Sequence, residues 1–156
     1  NMTSELHKVQ RPMKDLVKWT AILSLNLNSL LDRRLETFGI NSSQFVYILK
    51  VCRSPGITRE CIFHEIYRNP SNISRALTQL EEKGYMTKEP SREDRRTCHL
   101  YPTKKAQETY EQIEEILSGC DQEIMEIFSE EEKKIFPGIL QKAALRAVEL
   151  NEKERL

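Results

Sequence analysis

The stretch NPSNISRALTQLEEKGYMTKEPSREDRRTCHL, residues 69–100, decides how the rest of the chain is interpreted. Asn69 is an N-cap residue and Pro70 suits the first helical position, so a helix is predicted to begin there. Gly84 is typical of the position just after a helix and marks its end. An apolar face is formed at helical spacing by Ile73, Ala76, Leu77 and Leu80.

The opposite face of this helix is polar and short, and a charged hairpin follows it. The outer face consists of Ser71, Asn72, Ser74, Arg75, Thr78 and Gln79. Two strand-like runs, residues 85–89 and 97–101, flank the charged tip SREDRR at residues 91–96. Helix, hairpin and basic tip are therefore predicted to form one unit.

Charge is unevenly distributed, although the whole chain has a formal net charge of zero. Residues 1–52 contain 7 Lys and Arg against 4 Asp and Glu, residues 53–105 contain 11 against 7, and residues 106–156 contain 6 against 13. The acidic last third would be kept away from a phosphate backbone, while the basic excess coincides with the stretch at residues 69–100. Ordinary solvated helix faces would give a similar distribution, so charge alone leaves both interpretations open.

Length and composition indicate one compact cytoplasmic domain with neither a membrane span nor a secretory signal. Four scattered cysteines are predicted to be free thiols. Cys52 and Cys120 occupy apolar positions of helical patterns, whereas Cys98 is expected to be exposed. A phosphate-binding glycine loop, a nucleophile motif and a paired metal-ligand motif are all missing, so we expect no enzyme, no cofactor and no metal site.

A long N-terminal helix is predicted from Pro12 to about Phe38, where Gly39 ends it. At 1.5 Å per residue it would span about 40 Å, more than the core of one small domain needs. Part of it is therefore expected to pack on another chain, although it could instead simply cross the domain. Its apolar positions are Met13, Leu16, Val17, Thr20, Leu23, Leu27, Leu30, Leu31, Leu35 and Phe38.

Two short helices are predicted between this helix and residue 69. Ser42 or Ser43 caps the first, and Thr58 caps the second, which extends over about residues 59–66 with Ile62 and Ile66 inward. A turn at residues 67–68 leads into the next helix, which gives a helix-turn-helix, and the hairpin makes it winged. The core face of the first short helix is predicted to be Phe45, Ile48, Leu49 and Cys52.

The last third of the chain is predicted to form two helices. Thr103 caps the first, and Ser129 with Glu132 forms a capping box for the second. Pro137 lies well inside the second helix, so a kink or a break is expected at residues 133–137. The apolar stripe of the first helix is Ile113, Ile116, Leu117, Cys120, Ile124, Ile127 and Phe128, and that of the second is Ile135, Ile139, Leu140, Ala143 and Val148.

From about residue 13 to residue 150 the order of elements resembles the MarR family of bacterial transcription regulators. The specific part is NISRALTQLEEKGYM at residues 72–86, followed by SREDRR and by HLYPT at residues 99–103. The D-x-R motif of the family wing is matched by Asp94 and Arg96. The L-E-x-x-G end of its recognition helix is matched by Leu80, Glu81 and Gly84. Where the family usually has leucine and glycine, this chain has Pro102 and Ala106. Both lie where the wing joins the next helix, so the angle between the wing and that helix is left open.

The resemblance implies a mainly α fold: a winged helix-turn-helix with a small β-hairpin wing, plus N- and C-terminal dimerisation helices. The corresponding segments are residues 2–40, 41–102 and 103–156, within one intertwined domain. It further implies a homodimer whose two heads bind a pseudo-palindromic site in double-stranded DNA. We therefore expect a sequence-specific transcriptional regulator, with repression as the expected mode.

The DNA contacts are assigned to the polar helix face and to the wing. Such side chains suit both phosphates and base edges, and a helix fits the major groove. Arg75 could contact guanine or a phosphate, or pair with Glu81 or Glu82. By the family match, Asp94 holds the wing loop by ion pairing and Arg96 enters the minor groove. The assigned residues are Ser71, Asn72, Ser74, Arg75, Thr78, Gln79, Arg92, Asp94, Arg95 and Arg96, with Arg92 and Arg95 on phosphates.

For regulation, the sequence leaves two alternatives open. Members of the family commonly respond to small aromatic ligands in a cleft, which Trp19, Phe38, Phe45 and Tyr47 could line here, although aromatic residues at helical spacing also suit a core. The alternative is a thiol-redox or metal sensor that uses the same DNA-binding head. Its metal version would depend on Cys61 and His64, one helical turn apart.

Overall fold

The computed structural model describes residues 15–66 and 70–155, and within them the fold is mainly helical with a small sheet. The six helices of this part of the chain are α1 (Leu16–Leu35), α2 (Phe45–Arg53), α3 (Arg59–Ile66), α4 (Pro70–Glu82), α5 (Lys104–Met125) and α6 (Glu130–Arg155). The three strands are β1 (Ile57–Thr58), β2 (Met86–Pro90) and β3 (Cys98–Pro102). The predicted fold class is confirmed.

The chain packs as two compact units, of which the first ends at Ser42 and the second begins at Ser43. In the first unit α1 leads into a short 3₁₀-helix, Glu36–Phe38, and Gly39 ends it in the left-handed conformation with φ 68°. The predicted end of the long helix is therefore confirmed. Its predicted start at Pro12, together with Met13, lies outside the described residues.

Apolar side chains of α1 differ widely in exposure. Leu31 and Leu35 are buried, whereas Leu16 and Val17 expose 69% and 81% of their surface. The apolar face is therefore only partly covered within one chain.

The second unit is built around a core to which α2, α3, α4, α5 and the sheet all contribute. Tyr47 and Val51 lie in that core beside the predicted Ile48 and Leu49, while Phe45 and Cys52 are only half-buried. The predicted core face of α2 was therefore partly wrong. Neither serine caps the helix, because α2 starts at Phe45 and its N-cap residue is Gln44. The core of this unit comprises Tyr47, Ile48, Leu49, Val51, Ile62, Ile73, Ala76, Leu77, Leu80, Tyr85, Met86, Leu100, Ala106, Ile113 and Cys120.

The sheet has three antiparallel strands in the order β1-β3-β2. Strand β1 was not predicted, because Ile57 was given no role and Thr58 was assigned only as a helix cap. Ile57 pairs with Leu100, and the Gly56 amide donates to the Leu100 carbonyl over 2.7 Å. Thr58 also caps α3 as predicted, since its hydroxyl accepts from the Cys61 amide. Each strand of the hairpin starts and ends one residue later than predicted.

Helices α5 and α6 begin where the sequence predicted. The Thr103 hydroxyl accepts from the Ala106 amide over 3.2 Å, and Ser129 and Glu132 form the reciprocal capping box. Helix α6 continues without interruption through Pro137, so the prediction of a break was wrong.

The apolar stripe of α5 is only partly buried. Ile113 and Cys120 are buried, but Ile127 lies beyond the helix end and is 88% exposed, contrary to prediction. No helix within the described residues combines the length and apolarity that crossing a bilayer requires.

Candidate nucleic-acid interface

Helix α4 presents one polar face because its apolar residues are fixed in the core. Ile73 and Leu80 are fully buried, and Leu77 is 2% exposed. The helix begins at Pro70, as predicted, whereas the predicted cap Asn69 and the turn at Tyr67 and Arg68 lie outside the described residues. On the opposite face Ser71, Asn72, Arg75, Thr78 and Gln79 are exposed and Ser74 is half-buried.

Two of these side chains are held by neighbouring groups. The Thr78 hydroxyl donates to the Ser74 carbonyl one turn earlier, over 2.9 Å. The Ser74 hydroxyl accepts from the Arg59 guanidinium over 2.9 Å. Arg59 is the first residue of α3 and is itself exposed, so it adds a cation beside the polar face of α4. No role had been predicted for Arg59.

A second contact holds the other end of this face. The Gln44 amide nitrogen donates to Gln79 Oε1 over 2.8 Å, and Gln44 Oε1 accepts from the Lys83 ammonium over 3.3 Å. Gln44 is 2% exposed, which makes it a buried polar group whose partners lie on α4 and just beyond it. Gln79 is therefore anchored as well as exposed.

Arg75 is exposed and makes no ion pair or hydrogen bond with any residue that the structure describes. Of its two suggested partners, Glu81 pairs instead with Lys88 of β2 over 3.3 Å. The guanidinium is therefore available to a ligand, and its five donors suit either a phosphate or the O6 and N7 atoms of guanine.

At the wing tip, backbone hydrogen bonds to Asp94 replace the predicted ion pair. Asp94 Oδ1 accepts from the Arg96 amide over 3.0 Å, and the Thr97 amide donates to the Asp94 carbonyl over 3.0 Å. In the described part of the chain no arginine pairs with the Asp94 carboxylate, so the predicted ion pairing was wrong. The Ser91 amide donates to the Thr97 carbonyl over 2.8 Å and closes the loop.

Three arginines project from the loop that Asp94 holds. Arg92, Arg95 and Arg96 are all exposed, and no described residue pairs with their guanidinium groups. Because only the backbone of Arg96 is used in the turn, its side chain keeps all of its donors. The tip is therefore a compact cationic loop on an ordered hairpin.

The base of the wing is fastened to the turn after α4. Gly84 adopts φ 84°, and the Thr103 hydroxyl donates to its carbonyl over 2.6 Å. Lys105 donates to the Lys83 carbonyl over 2.7 Å and lies 4.4 Å from the centre of the Tyr85 ring. Burial raises the pKa of the Tyr85 hydroxyl, so this ring stays neutral beneath the cation. These contacts join the wing to the end of α4.

Comparison with known proteins found a family match for part of the chain. Residues 40–98 match the model of the MarR family. The matched residues include α4 and nearly the whole wing, so this segment is similar to the MarR family of transcriptional regulators.

Solved structures and a bacterial relative are similar to a larger part of the chain. A MarR protein from Peptoclostridium difficile is similar over 89% of this chain and 91% of its own, with a TM-score of 0.82 and 24% identity. A MarR-family regulator from Listeria monocytogenes, complexed with a 26-mer DNA, is similar over 86% of this chain and 89% of its own, with a TM-score of 0.77 and 23% identity. The HTH-type transcriptional regulator YybA of Bacillus subtilis, which is uncharacterized, is 22% identical over 128 residues, 82% of this chain and 85% of its own.

The four aromatic residues assigned to a ligand site differ in exposure. Trp19 is 44% exposed, Phe38 and Phe45 are half-buried, and Tyr47 is 1% exposed. A ligand could reach the Tyr47 ring only after neighbouring side chains had moved. The ligand site stays a prediction.

The cysteines are free, as predicted, but their exposure differs from expectation. Cys61 is the exposed one, whereas Cys98 is half-buried in β3. Cys120 is in the core, and partial burial raises the pKa of the Cys52 thiol. Within residues 15–66 and 70–155 no three His, Cys, Asp or Glu side chains cluster as a metal site would require. Glu65, beside His64, forms an ion pair with Lys50 instead.

Three residues that contact α4 or lie just after it could not be predicted from the sequence: Gln44, Arg59 and Lys83. Arg59 begins a helix and Gln44 precedes one, so each carried a positional signal. Their contacts with α4 could not be predicted, since Gln44 and Gln79 are 35 residues apart in the chain.

Proposed function

We propose that this chain is a MarR-type transcriptional regulator, a homodimeric repressor that binds a pseudo-palindromic site in duplex DNA and is released by a small aromatic effector. The observation that carries the proposal is that one compact unit contains both the polar face of α4 and a wing tip with three unpaired arginines among the described residues. An exposed polar helix suits the major groove, and a cationic loop suits phosphates or the narrow minor groove.

In this proposal each side chain has a separate task. Asn72 and Arg75 contact base edges, with Ser71, Ser74, Thr78 and Gln79 on bases or phosphates nearby. Arg96 enters the minor groove while Arg92 and Arg95 contact phosphates, and Asp94 keeps the loop in shape through the Arg96 amide. The Listeria protein of similar fold is itself complexed with DNA, which supports a duplex as the partner.

Dimerisation is supported by apolar side chains left exposed on helices of both units. On α1 these include Val17 and Leu25, which are 81% and 71% exposed, and on α6 Ile135 and Ile139, which are 54% and 58% exposed. Complete burial of one such side chain contributes about 1.5–3 kcal/mol. Several of them would offset the roughly 4–15 kcal/mol that association costs. A second copy of this chain is the proposed occupant of these surfaces.

A dimer presents two heads at a set separation, so half-site spacing becomes part of specificity. The test combines light scattering of the full chain with titration of the duplex upstream of its own gene. We expect a dimer mass, one dimer per duplex, and weaker binding when either half-site is mutated or when about 5 bp, half a helical turn, are inserted between them. A monomer mass, or binding unaffected by both changes, would overturn the dimeric proposal.

Repression and release need separate measurements. In a reporter strain driven by the same upstream DNA, deletion of the gene should raise transcription, and a fall would show activation instead. Benzoate and phenol, as small aromatic probes, should lower DNA affinity, and Trp19→Ala, Phe38→Ala or Phe45→Ala should reduce that response. If neither probe changes the affinity at millimolar concentration, the aromatic-effector part of the proposal is wrong.

A further inference from the structure

We infer that Gln79 reads DNA only as a hydrogen-bond donor, because Gln44 and Lys83 fix the orientation of its amide group. The inference deepens the proposed function and rests on its placing of α4 in the major groove. It predicts which bases are preferred at one base pair of each half-site. It depends on the hydrogen bonds that link Lys83, Gln44 and Gln79.

The orientation is set at Lys83. An ammonium group has three donors and no acceptor, so the Gln44 atom that faces it at 3.3 Å has to be the amide oxygen. The Gln44 amide nitrogen then faces Gln79, at 2.8 Å from Oε1. Rotating the Gln44 amide group by 180° would place its NH₂ group against the ammonium. Because Gln44 is only 2% exposed, water could not replace the lost hydrogen bond, and the rotation would cost free energy.

Gln79 therefore turns its oxygen inward and its NH₂ group away from Gln44. Lys83 lies one helical turn after Gln79, and its amide still donates to the Gln79 carbonyl over 2.9 Å, so both side chains face Gln44 from one stretch of helix. Gln79 also lies seven residues after Asn72 and four after Arg75, on the same exposed stripe. Its amide hydrogens are thus on the face proposed to meet the bases.

A donor-only glutamine has a different base preference from a free one. A free glutamine recognises adenine through two bonds, accepting from N6 and donating to N7. With its oxygen turned towards Gln44, Gln79 presents its NH₂ group to the groove, so it should favour a keto base, guanine through O6 and N7 or thymine through O4. It should disfavour cytosine, which presents the N4 amino donor.

Gln44→Glu is the variant that should reverse this preference. A carboxylate is acceptor-only, so it would draw the NH₂ group of Gln79 inward and leave Oε1 facing outward. Lys83, already in contact with this position, supplies a countercharge. Lys83→Met provides a second route, because it removes the ammonium that orients Gln44 without adding a buried charge. Gln112→Glu on the exposed surface of α5 makes the same chemical change away from α4 and serves as the control.

The experiment is selection of a randomised duplex library by the full chain, followed by sequencing of the bound fraction. Gln79→Ala first identifies the base pair at which preference is lost. At that pair the wild-type chain should favour a keto base over cytosine by about fivefold or more. Gln44→Glu should change the preferred base to one with an amino group, Lys83→Met should reduce the keto preference, and Gln112→Glu should leave it unchanged. Thermal unfolding identifies variants that fail to fold.

Two results would overturn the inference while the proposed function stands. One is an unchanged base preference in folded Gln44→Glu and Lys83→Met chains that still select a sequence. The other is a Gln79→Ala chain that selects the same sequence as the wild type. If the wild-type chain selects no sequence and retains no duplex at low salt, the proposed function fails and this inference fails with it.

Discussion

Removing the charge of Arg92 and Arg95 at the wing tip should flatten the salt dependence of DNA binding by an amount that can be calculated. Both side chains are exposed, and no described residue pairs with them, so each is free to displace a cation from a phosphate. Every phosphate contact adds about 0.9 to the slope of log affinity against log salt concentration. A dimer of the double variant Arg92→Gln with Arg95→Gln loses four such contacts, and its slope should fall by about 3.6.

The effect is large over an accessible range of salt. Between about 50 and 200 mM salt, a slope difference of about 3.6 means that wild-type affinity falls about 150-fold more than that of the variant. Fluorescence anisotropy with the labelled upstream duplex measures both slopes. Lys153→Gln, which removes an α6 charge that pairs with Glu149 on its own helix, should leave the slope unchanged. Equal slopes for the wild type and the double variant would refute the assignment of the wing to the DNA backbone.

Three further predictions concern single residues. Asp94→Ala should weaken DNA binding about fivefold in the same assay, because one hydrogen bond to the Arg96 amide contributes about 1 kcal/mol. Asp94→Asn keeps the acceptor and should bind nearly as well as the wild type. Equal weakening in both variants would contradict the role of Asp94 in holding the loop. Ile113→Ala should lower the free energy of unfolding in urea by about 2–5 kcal/mol, since its side chain is fully buried, and a loss below about 0.5 kcal/mol would contradict the described core. The Ser129 amide and hydroxyl lower the pKa of Glu132 below its ordinary 4.5, so its stabilising effect is present above pH 4.5 and lost as the pH falls through the lower, folded-state pKa. The stability difference between wild type and Glu132→Gln should therefore shrink below pH 4.5, and a difference that grows there would contradict the capping role.

Local signals in the sequence were sufficient for most helix boundaries. Pro70, Thr103 and Ser129 each mark a helix start that depends only on residues within one turn, and the structure has helices starting at or immediately after them. Gly39 and Gly84 mark ends for the same reason, since both adopt the left-handed conformation that glycine tolerates best. Ser42 and Ser43 were misleading because α2 starts at Phe45, so that Gln44 and neither serine occupies its N-cap position.

Features that depend on distant residues could not be predicted. Strand β1 is two residues long and exists because Leu100 lies beside it, 43 residues after Ile57. The burial of Tyr47 in place of Phe45 depends on how α2 packs against α5 and β3 rather than on its own periodicity. At the candidate interface the exposed residues of α4 could be listed from the sequence, but not which of them are held. Gln79 is fixed by Gln44 and Ser74 by Arg59, and neither partner is on α4.

The most direct measurement is a hydroxyl-radical footprint of the purified full chain on the duplex upstream of its own gene at low salt. If α4 and the wing form the DNA interface, two symmetric protected half-sites should appear about one helical turn or a multiple of it apart. In the chain with Arg75→Ala, Arg95→Gln and Arg96→Gln both protections should be lost while thermal unfolding is unchanged. Full protection by that folded triple variant, or no protection by the wild-type chain, would contradict the interface.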